Sequence, residues 1–282
     1  MAEILAMSRS SLRRLLFRPR FWVSLLLALG CVLIVFFKVP PYLAERGYQV
    51  QAAEPFLILL PSFFPQILLL ISFLLLVGDI PFLYPGMEIT AIRSSRRKWL
   101  AAQVFAAMGA AVLWLLFLLA CTLLVFWGHI NFQNQWGVFL KALARSPGAM
   151  ESVGMGLADA PTTHLFEGTT PYVRFGWLFL FQLLLLWSIA LWSLAFNLWT
   201  RRSYGCMITV SFWVLRRVVN ELALTTQKDF TRLSPMSLMD INQKPLDTAW
   251  IVYIVLFFVL QICILGLLSA IRLQREDLSK AG

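Results

Sequence analysis

SYGCMITVSFWVLRRVVNEL, residues 203–222, decides how many times this chain crosses a membrane. Ser203–Leu215 is only 13 residues. At 1.5 Å per residue that is about 20 Å of helix, short of a hydrocarbon core of about 30 Å. The run then meets Arg216 and Arg217. It crosses only if the helix continues through Val218, Val219 and Leu222. With that crossing, both chain ends lie on one side. Without it, they lie on opposite sides.

Five other apolar runs surround this stretch: Phe21–Phe37, Phe56–Gly78, Trp99–Trp127, Phe175–Trp199 and Ala249–Ile271. Each is long enough to span a bilayer. The whole chain of 282 residues is 60% hydrophobic and 13% charged. Soluble domains are nearer 45–50% apolar and about 25% charged. That balance argues against a soluble enzyme, a disordered chain, a disulfide scaffold and a coiled coil.

The net charge of +10 settles the open crossing. With six spans and an inner N-terminus, the inner segments hold 14 of the 24 Lys and Arg residues and 5 of the 14 acids. The inner face is then +9 and the outer face +1. Positive residues collect in short cytoplasmic loops, so six spans with both termini cytoplasmic is the consistent topology. The surplus records orientation, and no nucleic-acid partner is expected. Trp22, Trp99, Trp127, Trp177, Trp199 and Trp250 fall at or near span ends, where amphipathic rings favour the interface.

The chain therefore reads as one all-α, polytopic transmembrane domain, 1–282. Residues 1–20 form a basic amphipathic segment expected to lie along the inner surface, not a cleavable signal. Spans follow at 21–37, 56–78, 99–127, 175–199, 203–222 and 249–271. Residues 79–98 form a cytoplasmic loop, and 128–174 and 223–248 form extracellular loops. No metal or catalytic constellation stands out. The four cysteines sit in apolar runs without a CxxC, and the only histidines are His129 and His164. There is no HExxH, GxSxG or GxxxxGK[ST], so the chain has no phosphate-binding loop for ATP. The spans carry almost no carboxylates, unlike ion-coupled carriers.

Two segments carry the functional expectation. GDIPFLYPGMEITAIRSSRRKWL, residues 78–100, is longer than a turn requires. Pro85 can open a short helix at its first position, with Glu88 favoured near its N-terminus. Arg96, Arg97 and Lys98 would then anchor the next span at the phosphate level. In the second segment, Arg216 and Arg217 stand in the outer part of the fifth span with Asn220 and Glu221 one turn on. Arg217 and Glu221 are spaced to pair. The group either snorkels to the interface or lines a polar vestibule.

The basic N-terminus ending in LLFRPRFW, the six spans, and PGMEI…RSSRRKWLAAQ in the first cytoplasmic loop resemble the membrane subunit of ABC-2 type ABC transporters. The resemblance implies a type V exporter-like fold in a plasma membrane, bacterial by expectation, and a permease with no catalytic residues of its own. The N-terminal segment would be the elbow helix. Pro85, Gly86, Met87, Glu88, Ile89 and Arg93 would form the coupling helix that docks on the ATPase. Two copies of a separate ATPase subunit would bind ATP and Mg, leaving this chain without a cofactor. A second membrane subunit, identical or similar, would complete the path for an amphipathic or hydrophobic substrate such as a lipid, peptide or drug. Two other classes remain open here. One is a secondary carrier or channel acting alone. The other is a membrane sensor or enzyme using His129, His164, Glu151, Asp159 or Glu167.

Overall fold

The computed structural model describes residues 1–81, 95–154, 161–166, 168–200, 205–226, 230, 232, 234–240 and 246–275. The chain is mostly helical. Four stretches are long and apolar enough to cross a membrane: Pro19–Arg46, Arg96–Val125, Pro171–Thr200 and Thr248–Gln274. This is an all-α membrane protein.

The N-terminal segment forms α1 (Ala2–Leu16), and Pro19 opens α2 (Pro19–Phe36) at its first position, where a missing N–H is harmless. Helix α1 does not stand alone. It lies lengthwise against the first half of α6 (Arg96–Val125). Lys98 Nζ donates to Glu3 at 2.6 Å, and Leu12 fills the space that a side chain at Gly109 would need. The buried stripe of α1 is Ser8, Ser11 and Leu15. Small residues on both sides let two backbones approach closely, while Arg9 and Arg13 stay exposed.

The first apolar run breaks after Phe36 and continues as α3 (Val39–Arg46). Pro40 lacks an N–H and its ring crowds the preceding turn. The run Phe56–Gly78, read as one span, is two helices: α4 (Glu54–Leu59) and α5 (Phe63–Val77). The break falls at Pro61, which has no N–H to continue the α4 ladder; Leu60 before it keeps helical geometry. Ser62 follows in extended conformation, its hydroxyl donating to Ile58 O at 2.6 Å. At 15 residues, α5 spans about 22 Å.

Helices α2 and α5 pack as antiparallel neighbours. Ser24 and Ser72 exchange hydroxyl-to-carbonyl bonds of 2.7 Å in both directions, and Trp114 Nε1 of α6 donates to Ser72 Oγ at 3.1 Å. Every partner is buried, so the deep Trp114 is a packing residue with a satisfied polar edge. A two-residue parallel pair, β1 (Val50–Gln51) with β2 (Ile130–Asn131), joins the two outer segments. The second of these adds α7 (Val138–Arg145), α8 (Pro147–Ser152) and a 3-10 turn at Thr163–Phe166.

Helix α9 (Pro171–Thr200) is the central strut, touching α4, α5, α6, α10 and α11. The disputed stretch is one continuous helix, α10 (Gly205–Thr226), which runs unbroken through Arg216 and Arg217. It starts beside the end of α5 and reaches the start of α5 by Arg216. A 3-10 turn at Ser237–Met239 and α11 (Thr248–Arg275) complete the chain.

Candidate functional site

The chain has two polar clusters at opposite ends of the bundle. One borders residues 82–94. Pro85, Gly86, Met87, Glu88, Ile89 and Arg93 lie outside the described residues, but the segments on either side of them are firmly held. Before it, Asp79 pairs with Arg20 and lies 3.9 Å from Arg18, at the start of α2. Asn197 of α9 donates to Gly78 O at 2.9 Å and Ile80 O at 2.6 Å. Its own Oδ1 accepts from the Gly205 amide at 2.9 Å, so one side chain ties α5, α9 and α10 together.

After the segment, Ser95 caps α6 by accepting from the Lys98 amide at 3.3 Å. Side-chain capping of this kind supplies about 1 kcal/mol. Arg96 donates to the carbonyls of Leu273 and Gln274 at 3.1 and 3.4 Å. Those carbonyls end α11, where a cation also meets the negative pole of the helix. Arg272 of α11 lies over the Trp199 ring at 5.6 Å. The predicted basic anchors therefore have different surroundings. Arg96 joins two helix ends, Lys98 pairs with Glu3, and Arg97 is exposed.

The other cluster, at the opposite end, centres on Arg216, which is buried rather than extended to the surface. It is 3% exposed. Its Nη1 donates to Gln66 Oε1, and its Nη2 donates to Pro61 O at 3.3 Å and Asp240 Oδ1 at 2.7 Å. The guanidinium lies over Phe63 at 5.2 Å. The carbonyl of Pro61 is exposed to bonding by the α4–α5 break, so the proline that splits the span also supplies an acceptor for the arginine. Arg217 behaves otherwise. It pairs with Glu221 at 2.5 Å on the exposed face of α10, as the spacing predicts. Asn220 Oδ1 lies 3.5 Å from Ser237 Oγ, so the four sequence-selected residues split between two faces.

A third polar group lies in the cap formed by β1, β2 and α7. Glu54 is 0% exposed. Its carboxylate accepts from the Gly137 amide at 2.6 Å and the Gln51 amide at 3.1 Å. Burial pushes its pKa up to about 7 against the pull of those amides and of Lys141. Arg174, also fully buried, donates to His164 O at 2.9 Å.

These arrangements offer structural cross-links rather than a catalytic centre. Among the described residues no group of three or more His, Cys, Asp or Glu could hold a metal ion. His129 and His164 are described, and their carbonyls serve the cap: His129 O accepts from the Val50 amide at 2.9 Å. Asp159 and Glu167 lie outside the described residues, as does the side chain of Glu151. Sequence reasoning missed Asn197, Glu54 and Gln66. Each is a polar residue at or beside an apolar run, and that was the available signal. Comparison with protein-family models, curated proteins and solved structures found no match for this chain.

Proposed function

We propose that this chain is the membrane-spanning permease subunit of an ATP-driven ABC-2 type exporter. In this reading α10 is the fifth of six crossings, both termini face the cytoplasm, and the protein resides in a plasma membrane. A separate ATPase pair docks on residues 85–93, with Glu88 as its acidic contact. A second membrane subunit completes the translocation path.

The observation that carries this reading is the anchoring on both sides of 82–94. Asp79 ties the preceding chain to α2, and Asn197 ties it to α9 and α10. Arg96 ties the following chain to α11, and Lys98 ties it to α1. A load applied to this one cytoplasmic segment is thereby shared among helices that would otherwise move separately. A partner can shift such a bundle only if it binds the segment differently in its two states. ATP-dependent closure of an ATPase pair would supply that difference.

The test is purification of the tagged chain from native membranes, followed by reconstitution. The expected result is a co-purified chain bearing GxxxxGK[ST] and export that requires ATP. Transport by the chain alone without ATP would favour a secondary carrier, and loss of function in His129 or His164 variants without an ATPase would favour a sensor or enzyme.

A further inference from the structure

The Arg216 cluster has more donors than acceptors. The Arg216 guanidinium carries five N–H bonds and the Gln66 carboxamide two. The acceptors they meet are Gln66 Oε1, Pro61 O and Asp240 Oδ1. Arg216 Nε and Gln66 Nε2 are buried and have no partner among the described residues, and both residues are only 3% exposed. Two unmet buried donors on adjoining side chains are costly. They sit where an acceptor-rich group would satisfy them.

The sole carboxylate bonded to this arginine among the described residues comes from a loop segment. Asp240 follows the Ser237–Met239 turn, not a span, and its side chain is 15% exposed where that of Arg216 is 4%. It is the more exposed partner of the pair. Replacing it by another oxyanion would preserve the charge balance that a buried cation requires. A planar guanidinium also matches phosphate and carboxylate geometry with two parallel bonds.

We propose that Arg216 and Gln66 form a binding site for an oxyanion head group, phosphate or carboxylate, with Asp240 occupying the site at rest. Its role in transport rests on the exporter reading, and it narrows the substrate class to amphiphiles with an acidic head. Binding exchanges Asp240 for the head group and frees the 237–240 segment from α10. Phe63 then presents an apolar face beside the head.

The purified full chain in phosphatidylcholine nanodiscs provides the test, and it needs no ATPase. The probes are inorganic phosphate, against chloride at equal ionic strength, and nanodiscs containing phosphatidylglycerol. Removing the resident carboxylate with D240N is expected to tighten probe binding about tenfold or more, since a like charge beside the site opposes entry. The probe should raise the D240N unfolding midpoint, and adding Q66L should abolish that rise. A response to phosphate identifies a free anion, and a response confined to phosphatidylglycerol identifies a lipid head; either supports the site. If D240N simply unfolds earlier and neither probe restores it, the cluster is a structural ion pair and the proposal falls. Should D240N fail to fold, R216K gives a second measure, because it keeps the charge but loses the fork. Equal probe shifts in R216K and the unaltered chain would overturn the site. Oxyanion binding by a chain that co-purifies with no ATPase would keep the site and remove the exporter reading.

Discussion

Asn197 holds the Gly205 amide at 2.9 Å while donating to Gly78 O and Ile80 O. The end of one helix, the start of another and the border of the 82–94 segment thus meet on one carboxamide. N197A leaves the Gly205 N–H unmet in a buried position, which costs about 1–3 kcal/mol. N197D keeps an acceptor for Gly205 but sets a carboxylate against two carbonyls. The expected result is a lower unfolding midpoint for both, with Gly205 amide exchange accelerated in N197A and protected in N197D. Hydrogen exchange resolved to the start of α10 distinguishes them.

Gly205 itself admits no side chain. A Cβ there would lie 2.5 Å from Ser193 Cα and 2.9 Å from Ser193 O, and backbone cannot step aside as a flexible side chain can. G205A is expected to destabilise the chain by about 1–3 kcal/mol through overpacking. Gly176 in α9 has open space at the same position, so G176A should be neutral or gain up to about 1 kcal/mol from helix propensity. Thermal unfolding of the two variants in one detergent checks the contrast.

The cap around Glu54 should loosen as pH rises through neutrality. Glu54 has its pKa raised from 4.5 to about 7 by burial. A carboxyl with a raised folded pKa contributes stability that is full below 4.5 and lost as pH climbs to about 7. Lys141 is the nearby cation, and it moderates the shift without cancelling it. The protection factor of the Gly137 amide, corrected for intrinsic exchange, is expected to fall between pH 4.5 and 7 and then level off. E54Q should flatten that profile; an unchanged slope in E54Q would assign the titration to another group.

Helix α1 should depend on its fit against α6. Gly109 already lies close under Leu12, with only 2.6 Å from a built Cβ to Leu12 Cδ1. Leu12 is flexible, so G109A is expected to cost less than about 1 kcal/mol, whereas a bulky G109L should displace the helix. Protease accessibility of Arg9 and Arg13 on the exposed face of α1 reports the displacement.

The spans were legible because hydropathy accumulates over many residues: the runs at 99–127, 175–199 and 249–271 correspond to Arg96–Val125, Pro171–Thr200 and Thr248–Arg275. The Arg217–Glu221 pair was legible because it is local, set by helix pitch alone. Arg216 was not, although it is the adjacent residue. Its burial depends on Gln66, 150 positions away, and on a carbonyl freed by Pro61. Glu54 and Asn197 share this character, since Glu54 meets the Gly137 amide and Asn197 meets Gly78 O and Ile80 O across long sequence separations, besides nearer partners at Gln51 and Gly205. The packing of α1 on α6 was hidden because small residues such as Ser8, Ser11 and Gly109 carry almost no hydropathy signal, yet they decide how closely two helices approach.

The exporter reading is tested most directly at Glu88. A photo-crosslinking side chain placed there, in the full chain in native membranes, reports what touches the cytoplasmic segment. The account predicts a covalent adduct to a protein containing GxxxxGK[ST], with a yield that changes when ATP is added. Adducts only to lipid or to another copy of this chain, indifferent to ATP, would contradict it.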